Sequence, residues 1–323
     1  MATFTKLDAS EVRALVGAYN LPDLKEFAGI PAGSVNSNFE VVAGTTRVFL
    51  RVYEEQAREG AEAETQMLTA LAARGVLTPP PLARRDGGLV SEVRGKPAAF
   101  FAWRPGRMRC QASVSTGDLE KVGEALARVH VAGEGLPRAA GRFNPADLRE
   151  RLVRIAAATE PALAANAAPL SASLTRWERA QPELPRGLVH GDLFRDNVLW
   201  TDDDEIGALL DFESASDGVY AYDLMVTLLA WCVPSDLDLT LAQSLVRGYM
   251  RVRPLSGAER RGLLAAGCLA ALRFTITRIT DYAMRGGEGR VMKDYRRFLM
   301  RLARLETIAD TVGEGGFASA LEL

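Results

Sequence analysis

The chain has 323 residues, 48% of them hydrophobic and 25% charged, which is an ordinary globular balance and too long for one small core. With a formal net charge of -2, nothing in the composition argues for a nucleic-acid or anionic-membrane partner.

In chain order, Asp8-Ala9-Ser10-Glu11 opens a helix that runs to about Tyr19, with a short polar side chain placed to cap free amides. Gly29 to Ser34 reads as a loop. Asn38 to Val42 reads as a strand whose hairpin partner, Thr45 to Tyr53, follows across Ala43-Gly44. Ala61 to Arg74 has helical spacing, with Met67, Leu68 and Leu71 on one face and Gly75 as the stop. Gly88 to Val93 and Pro97 to Trp103 are two more strands, ended by Arg104-Pro105-Gly106.

Beyond that point the periodicity is helical: Gly117 to Ala132, Pro145 to Ala158, Ala221 to Trp231, Leu239 to Arg251, Gly257 to Arg285 and Val291 to Val312. The alanine-rich stretch from Ala156 to Ala172 reads as surface helix broken at Pro161 and Pro169. One β-like interruption runs from Gly187 to Asp211, with apolar runs at Asn197 to Trp200 and Ile206 to Leu210 about a Thr201-Asp202-Asp203-Asp204 turn. A β-rich first hundred residues followed by a helical remainder predicts an α+β protein in two lobes, residues 1–103 and 104–323.

Cys110, Cys232 and Cys268 are widely spaced, odd in number and without a CxxC pair, so buried thiols in a reducing compartment are expected. Met1 to Ser10 lacks the basic-then-apolar pattern of a signal peptide. No apolar run was expected to reach the roughly 18–20 residues of a bilayer span. The expectation is a cytoplasmic monomer or homodimer with neither a nucleic-acid nor a membrane partner.

The chemistry concentrates in His190-Gly191-Asp192-Leu193-Phe194-Arg195-Asp196-Asn197, followed by Leu209-Leu210-Asp211-Phe212-Glu213. An aspartate stands five residues before an asparagine, and a second aspartate follows an apolar strand. Phosphoryl transfer from ATP to a small-molecule hydroxyl acceptor needs these parts. One carboxylate, Asp192, accepts or orients the attacking hydroxyl. An amide oxygen and a second carboxylate, Asn197 and Asp211, hold Mg2+ on the phosphates. Asp and Asn also favour plain acidic turns, but the apolar runs on both sides of this segment argue against that reading.

This motif resembles that of the aminoglycoside phosphotransferase and choline kinase superfamily, and within it the homoserine kinases that share the protein-kinase fold. The likeness extends through Gly33 to Phe39, Ala221-Tyr222-Asp223-Leu224, Ala230-Trp231-Cys232, Val252 to Ser256 and Ala271 to Arg278. Phe194 stands where most aminoglycoside phosphotransferases carry a second histidine. Glu213, Leu229 and the Ile279-Thr280-Asp281-Tyr282 ending depart from the homoserine-kinase pattern. The resemblance implies a two-lobed protein-kinase-like fold, ATP and Mg2+ as cofactors, and L-homoserine as acceptor. Aminoglycosides, amino sugars and choline-type alcohols are the alternatives, and a catalytically inactive nucleotide-binding protein is an alternative of another class.

The resemblance also makes Gly33, Ser34, Asn36, Ser37 and Asn38 a phosphate-facing loop whose small side chains let backbone amides approach. No lysine lies between positions 26 and 95, which leaves Arg51 as the strand cation for the phosphates, with Glu62 or Glu64 as its partner and spacing that does not choose between them. By the same likeness Asp223 steadies the catalytic loop, and Arg104-Pro105-Gly106 stands where a hinge belongs. Arg273, Thr277 and Asp281 follow i, i+4, i+8 spacing with Arg278 alongside, which suits the grip on an amino-acid zwitterion and equally an ordinary ion-pair ladder. His130 reads as a packed histidine without a catalytic role.

Overall fold

Asp8 begins the first helix as its spacing predicts: its carboxylate accepts from the Ser10 and Glu11 amides, and Glu11 accepts from the Asp8 amide in return. In this computed structural model, residues 5–31, 35–285 and 293–323 are described. They form two compact units: the chain through Gly106 together with Gly207–Leu210, and Arg107–Ile206 with the described residues from Asp211 onward.

The first unit contains α1 (Ala9–Gly17), β1 (Leu24–Ile30), β2 (Ser37–Ala43), β3 (Thr46–Val52), α2 (Arg58–Ala73), β4 (Ser91–Val93) and β5 (Lys96–Ala102). The strands make one antiparallel sheet in the order β1-β2-β3-β5-β4. Alternation puts Phe39, Val41 and Ala43 of β2 on the same buried face as Val48, Leu50 and Val52 of β3. Val12, Leu15, Val16 and Tyr19 of α1 pack with them, and Tyr19 meets Phe100 edge-on at 4.9 Å. The hairpin turns at Gly44, whose φ of 58° and the nearby Pro22 ring leave no room for a side chain.

The second unit contains α3 (Thr116–Ala132), α4 (Pro145–Ala156), α5 (Pro161–Ala164), α6 (Ala167–Ala180), β6 (Arg186–Val189), β7 (Val198–Trp200), β8 (Ile206–Leu209, of which Ile206 belongs to this unit), β9 (Ser216–Val219), α7 (Tyr220–Trp231), α8 (Leu239–Val252), α9 (Gly257–Arg278) and α10 (Arg296–Ala320). β6 and β9 form a short antiparallel pair. Helices α3 and α8 touch backbone to backbone. A Cβ on Gly123 would lie 2.0 Å from the Leu245 carbonyl, and one on Gly248 2.0 Å from that of Glu120. α9 is buried from Gly262 through Thr277 and packs against α6, α7 and α10.

Several expectations are corrected. β1 was not foreseen, and Gly29 and Ile30 end it where a loop was expected to begin. Its polar-rich, largely exposed face at the sheet edge carries no two-residue alternation. Pro169 does not break a helix: it sits in the first turn of α6, where its missing N–H costs no intrahelical bond, and Leu170, Leu174 and Trp177 bury that helix. Cys110 is exposed, in the segment before α3, while Cys232 and Cys268 are buried; all three are free. One helical stretch, Gly257–Ala283, is long and apolar enough to cross a membrane, with mean hydropathy 1.4, but 89% of that window is buried inside the protein.

Candidate active site

β6 delivers His190, Gly191 and Asp192 into a loop whose backbone is pinned from several sides. Asp223, in the first turn of α7, accepts the His190 and Gly191 amides at 2.7 Å each. Arg273 Nη1 donates to the Gly191 carbonyl at 2.9 Å, Asn197 Nδ2 to the Asp192 carbonyl at 2.8 Å, and Trp231 Nε1 to the Leu193 carbonyl at 2.9 Å. Gly191 holds φ 75°, and a Cβ there would meet the Ser214 carbonyl at 2.8 Å.

Behind the loop lies a buried polar relay. His130 Nε2 is 3.0 Å from Asp223 Oδ2, and its Nδ1 is 2.7 Å from the Tyr249 hydroxyl. Arg253 donates to that hydroxyl at 3.1 Å and to Glu259 at 2.7 Å. An ionised Asp223 only accepts, so His130 donates through Nε2 and accepts from Tyr249 through Nδ1. Burial holds the His130 pKa below its usual value and the imidazole neutral. Burial alone would raise the Asp223 pKa, but the hydrogen bond from His130 and the backbone amide of Gly191 outweigh it and lower it. This geometry places Asp223 at the loop and His130 in the core.

The Asp192 side chain keeps 24% exposure, and burial nonetheless raises its pKa. The charge of Asp211 pushes the same way, while Arg273 and Lys293 oppose it. Arg273 Nη1 stands 3.9 Å from Asp192 Oδ1, and its guanidinium lies 4.1 Å from the Phe143 ring centroid and 3.9 Å from that of Phe274. Asp211 itself adopts a left-handed backbone, φ 59° and ψ 67°, at the end of the strand that carries it. Such a conformation costs about 1–2 kcal/mol outside glycine, with aspartate and asparagine among the residues that adopt it most readily. Asn197 spends its Nδ2 on the loop, and its amide oxygen accepts no hydrogen bond among the described residues. A carboxylate and an amide oxygen are hard donors that fit a divalent cation such as Mg2+.

Around the acceptor side the structure differs from the expected ladder. Five residues after Arg273 the α-helix gives way to a π-turn, Ile279–Ala283. The wider turn breaks the i+4 register, and Asp281 pairs with Arg151 of α4 at 2.7 Å, not with Arg278. Arg151 also donates to Thr280 Oγ1 at 2.6 Å. Arg278 instead donates to the Asp294 carbonyl at 3.1 Å and lies 4.5 Å from the Phe298 centroid. Phe194 packs on Phe274 and Phe298. Arg151 and Phe143 were missed because each lies over a hundred residues in sequence from the helix it meets.

In the first unit, Arg51 pairs with Glu64 at 3.2 Å, both side chains largely buried, while Glu62 pairs with Arg58. Gly33 and Ser34 lie outside the described residues. Asn36 Oδ1 accepts the Glu54 amide at 3.1 Å, and Ser37 Oγ donates to the Glu54 carboxylate, which also binds Lys96. The side chains of Asn36 and Ser37 therefore serve packing, and what they offer a ligand is backbone. Asn38 sits opposite Arg51 in the β2–β3 register.

An antiparallel sheet with two helices in one unit, and in the other a largely helical body carrying a pinned His-Gly-Asp loop, is the architecture of protein-kinase-like phosphotransferases. Residues 26–260 match the APH phosphotransferase enzyme family, and the chain belongs to that family. It is 39% identical over 290 residues to a homoserine kinase of a Caulobacter species, covering 87% of this chain and 89% of that one. To a homoserine kinase of Xanthobacter autotrophicus it is 33% identical over 329 residues, covering 99% and 100%. Among solved structures, an amicoumacin kinase bound to AMP-PNP and Ca2+ superposes with a TM-score of 0.72 at 14% identity, covering 95% of both chains. A microcompartment-associated aminopropanol kinase does so with 0.68 at 20%, covering 95% and 99%. The protein is a phosphotransferase that acts on a hydroxyl group.

Proposed function

We propose that the protein is an ATP- and Mg2+-dependent kinase that phosphorylates L-homoserine to O-phospho-L-homoserine, a step of threonine biosynthesis in the cytoplasm. Near-full-length likeness to several proteins named homoserine kinase supports the acceptor. The observation that carries the reading is electrostatic. Positive charge from Arg273 and Lys293, and after them His190, reaches Asp192, and Asp192 in turn acts on Arg278. A cationic aminoglycoside or choline would be repelled by such surroundings, while a carboxylate-bearing alcohol is attracted.

Asp192 orients the acceptor hydroxyl and takes its proton as the phosphoryl group transfers. Asn197 Oδ1 and the Asp211 carboxylate hold Mg2+, which when bound neutralises charge on the phosphates. Arg51, fixed by Glu64, and the backbone of the loop from Gly33 to Asn38 hold the nucleotide phosphates. Arg273 keeps the loop carbonyl in place, which limits its remaining donors toward a ligand.

Homoserine should show a specificity constant roughly ten to a hundred times that of homoserinol, which keeps the hydroxyl and amine but lacks the carboxylate. A charge-assisted arginine–carboxylate contact of about 1.5–3 kcal/mol sets that range. A coupled ADP-release assay across homoserine, homoserinol, choline, amino sugars and aminoglycosides tests it. Inert homoserine beside a rapidly phosphorylated amino sugar would sink the reading and leave the family unchanged.

Arg51→Ala should raise the Michaelis constant for ATP and Arg51→Lys should recover part of the loss, since lysine restores the charge without the fork. An ATP dependence in the alanine variant identical to that of the parent protein would remove Arg51 from nucleotide binding.

A further inference from the structure

Four arginines gather beside the catalytic loop and, among the described residues, none of them is ion-paired to a carboxylate. Arg195 belongs to the loop, Arg278 ends α9, and Arg297 and Arg301 lie on α10. The guanidiniums of Arg278 and Arg301 stack on one ring, 4.5 Å and 4.4 Å from the Phe298 centroid, and Phe194 of the loop packs against the same ring. Among the described residues none of the four makes a salt bridge, although most arginines elsewhere in the protein do.

Part of the arrangement has a structural reason. Arg195 donates to the Ala230 carbonyl at 2.5 Å and to Gln111 at 2.6 Å, and Arg301 donates to the Val233 carbonyl at 3.3 Å. These contacts satisfy carbonyls at the C-terminal end of α7, where positive charge is favoured. They do not account for Arg278, whose Nε is buried without a hydrogen-bond partner among the described residues, nor for Arg297. Gathering like charges in a half-buried place is unfavourable unless an anion joins them. The cost is visible: burial, then repulsion from Arg278, Arg195 and Arg297, brings the Arg301 pKa down to about 10. Arg278 feels the negative charge of Asp192, so the cluster addresses the side of the loop that carries the acting carboxylate.

We infer that Arg278 and Arg301, stacked on Phe298, form the site for the acceptor's carboxylate, with Arg195 and Arg297 adding positive field around it. The inference rests on the homoserine reading and deepens it by naming the residues that exclude cationic and neutral alcohols. Arg195, Arg297 and Arg301 were not among the substrate-binding residues expected from sequence, because their shared place arises only when loop, α9 and α10 come together.

The test is the ratio of kcat/KM for homoserine over homoserinol in Arg278→Met and Arg301→Met, with Arg304→Met as control, since Arg304 is an exposed α10 residue paired with Asp236. The ratio should fall at least tenfold in the first two variants, through loss on homoserine alone, and stay unchanged in the control. Arg278→Lys and Arg301→Lys, which keep charge and most of the side-chain length, should recover part of the ratio and stand in for any methionine variant that does not fold. Equal losses on both substrates, or an unchanged ratio in the variants that fold, would overturn the assignment. So would an unmodified protein that uses homoserinol as well as homoserine. An unmodified protein that does not phosphorylate homoserine at all is a different failure, that of the proposed function itself.

Discussion

Replacing Asp192 with asparagine is expected to lower turnover by roughly two to four orders of magnitude while ATP affinity stays nearly intact, the span for losing an acid–base group. The side chain is set to act on the acceptor, and its backbone is held by Asn197, so asparagine fits without disturbing the loop. Retention of more than about a tenth of the turnover would show that Asp192 does not perform proton transfer. The pH profile adds a second reading. Burial, with the charge of Asp211, raises the Asp192 pKa above its ordinary 3.8, so the acid limb of kcat should lie above that pH and vanish in the variant. Stability should move in the opposite sense to activity. Below pH 3.8 the carboxyl is protonated in folded and unfolded chains alike. As pH rises through the folded pKa, the native protein must ionise a buried group that the unfolded chain ionises freely. Asp192→Asn should therefore melt at a higher temperature than the parent near neutral pH, with the difference shrinking toward pH 3.8. A lower melting temperature at neutral pH would contradict the raised pKa.

Asp211→Ala should abolish Mg2+-dependent nucleotide affinity together with turnover, because a charged oxygen ligand to the metal disappears. Titration calorimetry with a non-hydrolysable ATP analogue, with and without Mg2+, measures this directly. Alanine also tolerates the left-handed backbone less well than aspartate does, so Asp211→Asn is the companion variant, keeping the conformation and removing the charge. Both variants should lose the Mg2+-dependent increment in affinity. If both bind the analogue as the parent does and turn over normally, Asp211 has no part in the site.

The parts of the molecule legible in the sequence are those whose chemistry fixes local spacing. The Asp192–Asn197 interval, the strand before Asp211 and the Asp8 cap each depend on residues within a few positions of one another. The β2–β3 hairpin was readable because Gly44 punctuates two alternating runs. What escaped is nonlocal or off-period. β1 shows no alternation because it lies at a sheet edge. The face shared by Arg273 and Asp281 was drawn on an ideal α-helix, and the π-turn at Ile279–Ala283 displaces it. The partners of Arg51 and Asp281 needed coordinates, since Glu62 and Glu64 are two residues apart and Arg151 is 130 residues from Asp281. The expected end of the last helix at Val312 does mark a real event: Gly313, at φ 64°, kinks the chain before a final helical segment continues to Ala320.

The all-round burial of α9 has a consequence for how the protein is made. α10, which covers part of α9, ends 37 residues after the π-turn closes at Ala283. At synthesis rates of about 5–20 residues per second, those residues take roughly 2–7 seconds to add. During that interval the nascent chain displays a helix with the hydropathy of a membrane span and no finished core to receive it. Until α10 is added, α9 lacks part of the cover it has in the finished protein. Stop codons introduced within α10 should therefore yield insoluble product, not a shorter enzyme, read as loss of the chain from the soluble fraction.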